Sequence, residues 1–204
     1  MLGFIKYSKK DGVLQLTNFN SYLTRTALGL GFTTKRKKAH LAGTHGEGFK
    51  IASLVMVNEG YQVRIEASRF YWKFKYFENN PSNFYCVLTA ASGKKMQTDM
   101  QKQREARAKG LPRGLTANIW EDVTVKIGKV YRPWSESARI KFADFQSWLV
   151  VSLDLERPFH IIKTPHGSLI LDLKFQGRLY LRDLLLEINN PLTAREKAFK
   201  YAYN

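Results

Sequence analysis

The sequence predicts an α/β protein, an α+β two-layer sandwich with a mixed, mainly antiparallel sheet and helices on one face. Three patterns predict it. Residues 61–67 (YQVRIEA) and 70–76 (FYWKFKY) alternate apolar and polar side chains, and only Ser68-Arg69 separates them, so they read as a hairpin. A helical stretch, 49–58, precedes that hairpin. A second hairpin is signalled by Pro165-His166-Gly167 between 160–164 and 168–173.

In chain order, Val13–Thr17 alternates as a short strand. Thr24–Leu30 reads as a short helix with Thr24 as its cap. The run from Gly31 to Gly48 has no apolar period and reads as a loop. Phe49–Asn58 is a helix with Phe49, Ala52, Leu54, Val55 and Met56 on its apolar side, stopping at Asn58-Glu59-Gly60. After the first hairpin, Asn79-Asn80-Pro81-Ser82 turns the chain into a third strand, Phe84–Thr89. Gln97–Lys109 reads as a polar, exposed helix ended by Gly110-Leu111-Pro112. Asp122–Ile127 is a strand and Lys141–Val151 an amphipathic helix with Phe142, Phe145, Trp148 and Leu149 on one side. Arg178–Glu187 is the last strand. The expected organisation is a single domain, 1–204, with a nucleotide-binding half at 13–90, a basic exposed insert at 91–118 and a strand-rich part at 119–204.

The chain has 204 residues, 44% hydrophobic and 13% aromatic, enough for a core and too apolar for wholesale disorder. One cysteine, Cys86, excludes an internal disulfide framework and a cysteine-only zinc cluster. No apolar run is long enough to span a membrane, and 2–7 is too short for a signal-peptide core. An intracellular protein, cytoplasmic or nuclear, with no membrane partner is expected. The formal charge is +16, and it is uneven: residues 1–40 carry eight basic groups and one acid, residues 91–113 seven against two. Such clusters attract polyanions, although a solvated basic surface looks the same in sequence.

Gly43-Thr44-His45-Gly46-Glu47-Gly48 opens the 49–58 helix. Glycines let a backbone approach a ligand closely, and a helix start offers unpaired N–H groups and partial positive charge, which suits phosphate. The spacing matches neither the Walker loop nor the dinucleotide fingerprint. A glycine-rich turn that only caps a core helix fits it as well.

The longer string ALGLGFTTKRKKAHLAGTHGEGFKIASLVM, Ala27–Met56, resembles the second half of the GHKL nucleotide-binding fold, the superfamily of gyrase, heat-shock-ninety chaperones, histidine kinases, MutL and the microrchidia proteins. Gly31, Thr33, Thr34 and Lys35 match the element leading into its mobile lid. Gly43, Gly46, Gly48 and Phe49 match the glycine box that ends the lid, and Lys50 gives that box a microrchidia-like form. The resemblance covers roughly residues 13–76 and, more loosely, 162–181. It implies an incomplete Bergerat-type fold that binds ATP, with the phosphates at Thr34, Lys35, Gly43, Thr44, His45, Gly46, Glu47, Gly48, Phe49 and Lys50.

Two parts of that family's site are not matched. Residues 1–12 hold neither a Glu to activate water nor an Asn to hold magnesium, and are too few for a helix plus a strand. Where the family has Asp-x-Gly-x-Gly, this chain reads Thr17-Asn18-Phe19-Asn20-Ser21-Tyr22, with Asn18 in the acid's place. The resemblance therefore implies ATP binding without independent hydrolysis. Magnesium is compatible with it, but its protein ligand is not seen. No residue is assigned a catalytic role. A fragment or degenerate copy is expected, with Met1 an internal start, completed by a partner chain or an N-terminal segment.

The competing reading is a basic nucleic-acid-binding module that uses Arg36, Lys37, Lys38, Lys94, Lys95, Lys102, Arg104, Arg107 and Lys109. His40, His45, His160 and His166 lack metal-ligand spacing, so no metal site is expected. Glu47 is read as a helix-start carboxylate, Cys86 as a core residue, and the Phe70/Trp72/Phe74/Tyr76 stripe as core packing in preference to a base-stacking platform.

Overall fold

A computed structural model describes residues 2–29, 47–77, 80–133, 135–181, 183–186 and 201–204. It is mixed α/β with mainly antiparallel sheets, and it divides into two compact units, Met1–Lys141 and Phe142–Asn204. The segments 13–90 and 91–118 fall in the first unit, and 119–204 is shared between the two. The glycine loop and lid-like stretch, including Thr34, Lys35, Arg36, Lys37, Lys38, Gly43, Thr44, His45 and Gly46, lie outside the described residues.

The first unit is built on six strands: β1 (Gly3–Ser8), β2 (Val13–Asn18), β3 (Gln62–Ala67), β4 (Phe70–Phe77), β5 (Asn80–Ala90) and β6 (Val123–Gly128). Their spatial order is β1-β2-β6-β3-β4-β5, and every pairing is antiparallel. Register fixes what each face presents, because side chains alternate along a strand. One transverse row reads Ile5, Leu16, Val125, Ile65, Trp72, Leu88; the row one residue along, on the opposite face, reads Lys6, Gln15, Lys126, Arg64, Lys73, Val87.

The apolar face carries the core. Val63, Ile65, Ala67, Trp72 and Phe74 are buried, and Cys86, Phe84 and Leu88 pack against them. Burial at this level stabilises by roughly 1.5–3 kcal/mol per large side chain. Helix α1 (Gly48–Asn58) covers this face with Phe49, Met56 and Val57, while Ser53 is buried between them. Ser53 tolerates burial because its hydroxyl donates to the Phe49 carbonyl at 2.7 Å. The face therefore follows i, i+4, i+7, i+8 from Phe49. Ala52 and Val55, expected on the apolar side, are exposed, as is Ile51. The helix ends where Gly60 takes φ +86 and the Tyr61 and Gly60 amides donate to the Met56 and Val57 carbonyls.

The hairpin turn at Ser68-Arg69 has both residues at positive φ, the geometry that matches strand twist. The third strand is longer than the sequence pattern suggests, β5 beginning at Asn80. Strand β1 is not signalled by the sequence. It is an edge strand with no fully buried side chain, so alternation there is weak. Helix α2 (Gly93–Ala108) starts a turn earlier than expected, because Ser92 caps it by accepting from the Lys95 amide. No α2 residue is buried, as its polar composition requires.

The second unit holds α3 (Phe142–Leu149), β7 (Ile161–Thr164), β8 (Gly167–Ile170), β9 (Leu179–Leu181), β10 (Leu184–Leu186) and β11 (Ala202–Tyr203). The strand order is β10-β9-β11-β8-β7, with β11 parallel to β9. The expected β7–β8 hairpin is present, and the final strand expected at 178–187 is split into β9 and β10. Val150, Leu153, Ile170, Phe175, Tyr180 and Ala202 form its core, and the Tyr180 hydroxyl donates to the Val150 carbonyl at 2.9 Å. Among the described residues, no helix is long and apolar enough to cross a membrane.

Candidate functional site

Glu47 immediately precedes α1, with helical φ and ψ, and its side chain makes no capping hydrogen bond. Its carbonyl takes the Lys50 and Ile51 amides at 3.0 Å each. Among the described residues no acceptor pairs with the Gly48 or Phe49 amide, the pair of donors a helix start leaves for a ligand. Gly48 is exposed, and a Cβ built there meets nothing within 4 Å among the described residues. Phe49 is different: its side chain packs into the core under the helix, so only its backbone is available to an anion. That anchor fixes the helix start over β3 and β4.

Lys50 is held rather than extended. Its ammonium donates to the Gly29 carbonyl at 2.5 Å and pairs with Glu47 at 3.3 Å. Gly29 follows the 3-10 turn Arg25–Leu28, the short helix expected after Thr24. Lys50 thus joins the segments on either side of residues 30–46, and Glu47 sits beside it as a carboxylate partner at the helix start.

Asn18, which the resemblance implies would stand in place of an acid, is exposed at the end of β2, and the chain turns at Phe19 and Asn20. This turn is organised by a residue that sequence patterning did not single out. Asp122 is 1% exposed. It accepts the Asn20 amide at 3.1 Å and the Asn118 amide at 2.6 Å, and pairs with the Arg113 guanidinium. Arg113 in turn lies 3.7 Å over the Phe19 ring. A lone acid before a strand carries no periodic signal, so only the fold reveals its role.

The six cations proposed on α2 and its end do not form one cluster. Lys95, Lys102 and Arg107 line a cavity of about 540 Å³ between α2 and residues 111–120, with Glu66 and Tyr71 also in its wall. Lys94, Arg104 and Lys109 lie outside it. Arg107 is tied to Glu121 at 3.0 Å, whereas the other five make no ion pair among the described residues. Burial pushes the Glu121 carboxyl up, but hydrogen bonds from Asn118 and Gln103 and the charges of Arg107 and Arg113 outweigh it and hold it below its ordinary value. With Glu66 and Asp99 in the wall, this cavity is mixed in charge.

The aromatic stripe is a core feature: Trp72 and Phe74 are buried and Phe70 and Tyr76 partly so. No group of three or more His, Cys, Asp or Glu able to hold a metal is found among the described residues. His160 hydrogen-bonds Asp172 at 3.0 Å on the surface of the second unit. No protein-family model, curated protein or solved structure matches the chain.

Proposed function

We propose that the first unit is a nucleotide-binding domain of GHKL type that holds ATP by its phosphates at the start of α1 and does not hydrolyse it alone. The observation that carries this reading is the helix start: among the described residues the Gly48 and Phe49 amides lack acceptors and no atom crowds Gly48. The order of elements around it supports the reading. Strand β2, a short 3-10 turn, the glycine-box helix and the β3–β4 hairpin follow one another as the resemblance implies. Thr34, Lys35, Gly43, Thr44, His45 and Gly46 supply further phosphate donors on this reading, with Lys50 adding charge from its place beside Glu47.

The chain's own residues then bind and orient a triphosphate. Glu47, the carboxylate at the helix start, is engaged with Lys50 and is not assigned to activating water. Base recognition is weak, because Asn18 replaces the acid that would read the adenine amine, so ATP and GTP compete about equally. Displacement of a fluorescent ATP analogue tests this. Comparable displacement by ATP and GTP, with no phosphate release above background at saturating magnesium–ATP, is the expected result. Failure of either nucleotide to displace the analogue contradicts the reading.

A second reading, nucleic-acid binding, draws on Lys94, Lys95, Lys102, Arg104 and Lys109, which are exposed on α2 and its end. Salt-dependent retention of a single-stranded oligonucleotide, lost when these five are changed to Gln, would favour it over the first.

A further inference from the structure

The sheet face opposite α1 carries a concentration of positive charge that neither reading uses. Lys126 of β6 stands directly opposite Arg64 of β3, and Arg64 stands opposite Lys73 of β4. Like charges placed opposite each other on paired strands destabilise a sheet. Glu66 offsets part of this, pairing with Arg64 at 2.5 Å and with Lys126 at 2.9 Å. Lys73 lies over the Tyr131 ring at 5.2 Å. One carboxylate shared by two cations leaves an excess, and the Nε of Arg64 is buried without a hydrogen-bond partner.

Beside this row lies an open groove of about 530 Å³, whose wall includes Lys6, Lys10, Arg64, Lys126, Lys129 and Arg139. These six come from β1, the β1–β2 turn, β3, β6 and two later loop positions, so sequence proximity does not explain their meeting. Among the described residues of the wall Asp11 is the one acid, and it is bonded to Ser8. Counting Glu66 and Glu136, which pair with Arg64, Lys126 and Lys129, three carboxylates face six cations. Lys6 and Lys10 are exposed and make no ion pair among the described residues.

The wall is preorganised. Arg139 donates to the Lys9 and Lys10 carbonyls at 3.0 and 2.8 Å, clamping the β1–β2 turn. Gly12 permits this: it has φ +64, and a Cβ there would fall 2.0 Å from Arg139 Cγ. The Ile140 amide donates to the Gly12 carbonyl at 3.0 Å and the Tyr7 hydroxyl to the Ile140 carbonyl at 2.9 Å, which fixes the same turn from the other side.

We propose that this groove, on the sheet face away from α1, binds a compact anion bearing several phosphate groups. Its volume suits a small molecule, and paired Lys and Arg donors suit clustered phosphate oxygens. Among the described residues the wall contains no aromatic side chain and so no platform for stacked bases, which disfavours single-stranded nucleic acid as the occupant.

Calorimetric titration of the full chain with inorganic tripolyphosphate tests the proposal. Saturable binding is expected, weakening by more than about tenfold in K6E/K10E and weakening as salt is raised. Both positions are exposed, and a thermal melt checks that the double variant folds; Lys126→Gln, expected to weaken binding by a smaller factor, serves if it does not. Gly48→Val should leave tripolyphosphate affinity at this groove unchanged, which separates the proposal from the nucleotide site. No saturable binding, equal affinity in the charge variants, or loss of binding in Gly48→Val would overturn it. So would an oligonucleotide that binds through Lys6 and Lys10 while tripolyphosphate does not.

Discussion

The ammonium of Lys50 reaches the carbonyl oxygen of Gly29 at 2.5 Å, across 21 positions of sequence. It ties the first turn of α1 to the end of the 3-10 turn after β2, and Glu47 shares the same ammonium. Charge-assisted hydrogen bonds of partly buried groups are among the stronger ones. Lys50→Met should lower the stability of the first unit by about 1.5 kcal/mol, read as a shift in urea midpoint. An unchanged midpoint would show that the contact adds nothing.

Asp122 holds two backbone amides and Arg113 from a buried position. Asp122→Ala leaves those donors and a guanidinium without their acceptor, and should cost about 3 kcal/mol or more. Because the residues share one network, Arg113→Met combined with Asp122→Ala should cost less than the two single changes added together. Additive losses in urea unfolding would argue against a coupled pair.

How much of this was legible in the sequence depended on periodicity. The β3–β4 hairpin and α1 follow from alternation and from turn residues, and Trp72 and Phe74 lie in the core as their spacing predicts. The buried face of α1 differs from the one the apolar pattern predicts, because Ser53, polar in sequence, is buried by bonding back to Phe49 while Ala52 and Val55 are exposed. Strand β1 lacks a buried side and so lacks a signal. The basic groove was illegible for a different reason. Lys6, Arg64, Lys126 and Arg139 are scattered along the chain, and only the insertion of β6 between β2 and β3 aligns them. The 91–113 charge excess was visible, yet the fold divides it between a cavity wall, an ion pair and the outer surface of α2.

Glu121 provides a pH prediction. Its pKa is lowered in the folded chain: burial opposes this, but the Asn118 and Gln103 hydrogen bonds and the Arg107 and Arg113 charges prevail. A depressed folded pKa contributes stability above the ordinary value of 4.5, and that contribution is lost as pH falls through the folded value. Melting temperature should therefore drop on acidification below 4.5 and drop less steeply in Glu121→Gln. Parallel curves for the two proteins would exclude Glu121 as a contributor.

Cys86 pairs with Phe74 across β4 and β5, and burial pushes its thiol up to about 12. The thiolate is the reactive form, so native protein at neutral pH should alkylate with iodoacetamide far more slowly than urea-unfolded protein. Equal rates would mean that this part of the core is open to solvent.

The central claim is that phosphates sit at the start of α1, and Gly48 tests it most directly. Among the described residues nothing fills its side-chain position, so a larger residue should fold, yet on the proposed reading it stands where the triphosphate approaches the backbone. Calorimetric titration with a non-hydrolysable ATP analogue, in a K6E/K10E background that disables the basic groove, should show binding to the chain that keeps Gly48 and none when Gly48→Val is added. Equal affinity in the two, with both shown to be folded by their melting curves, would contradict the assignment.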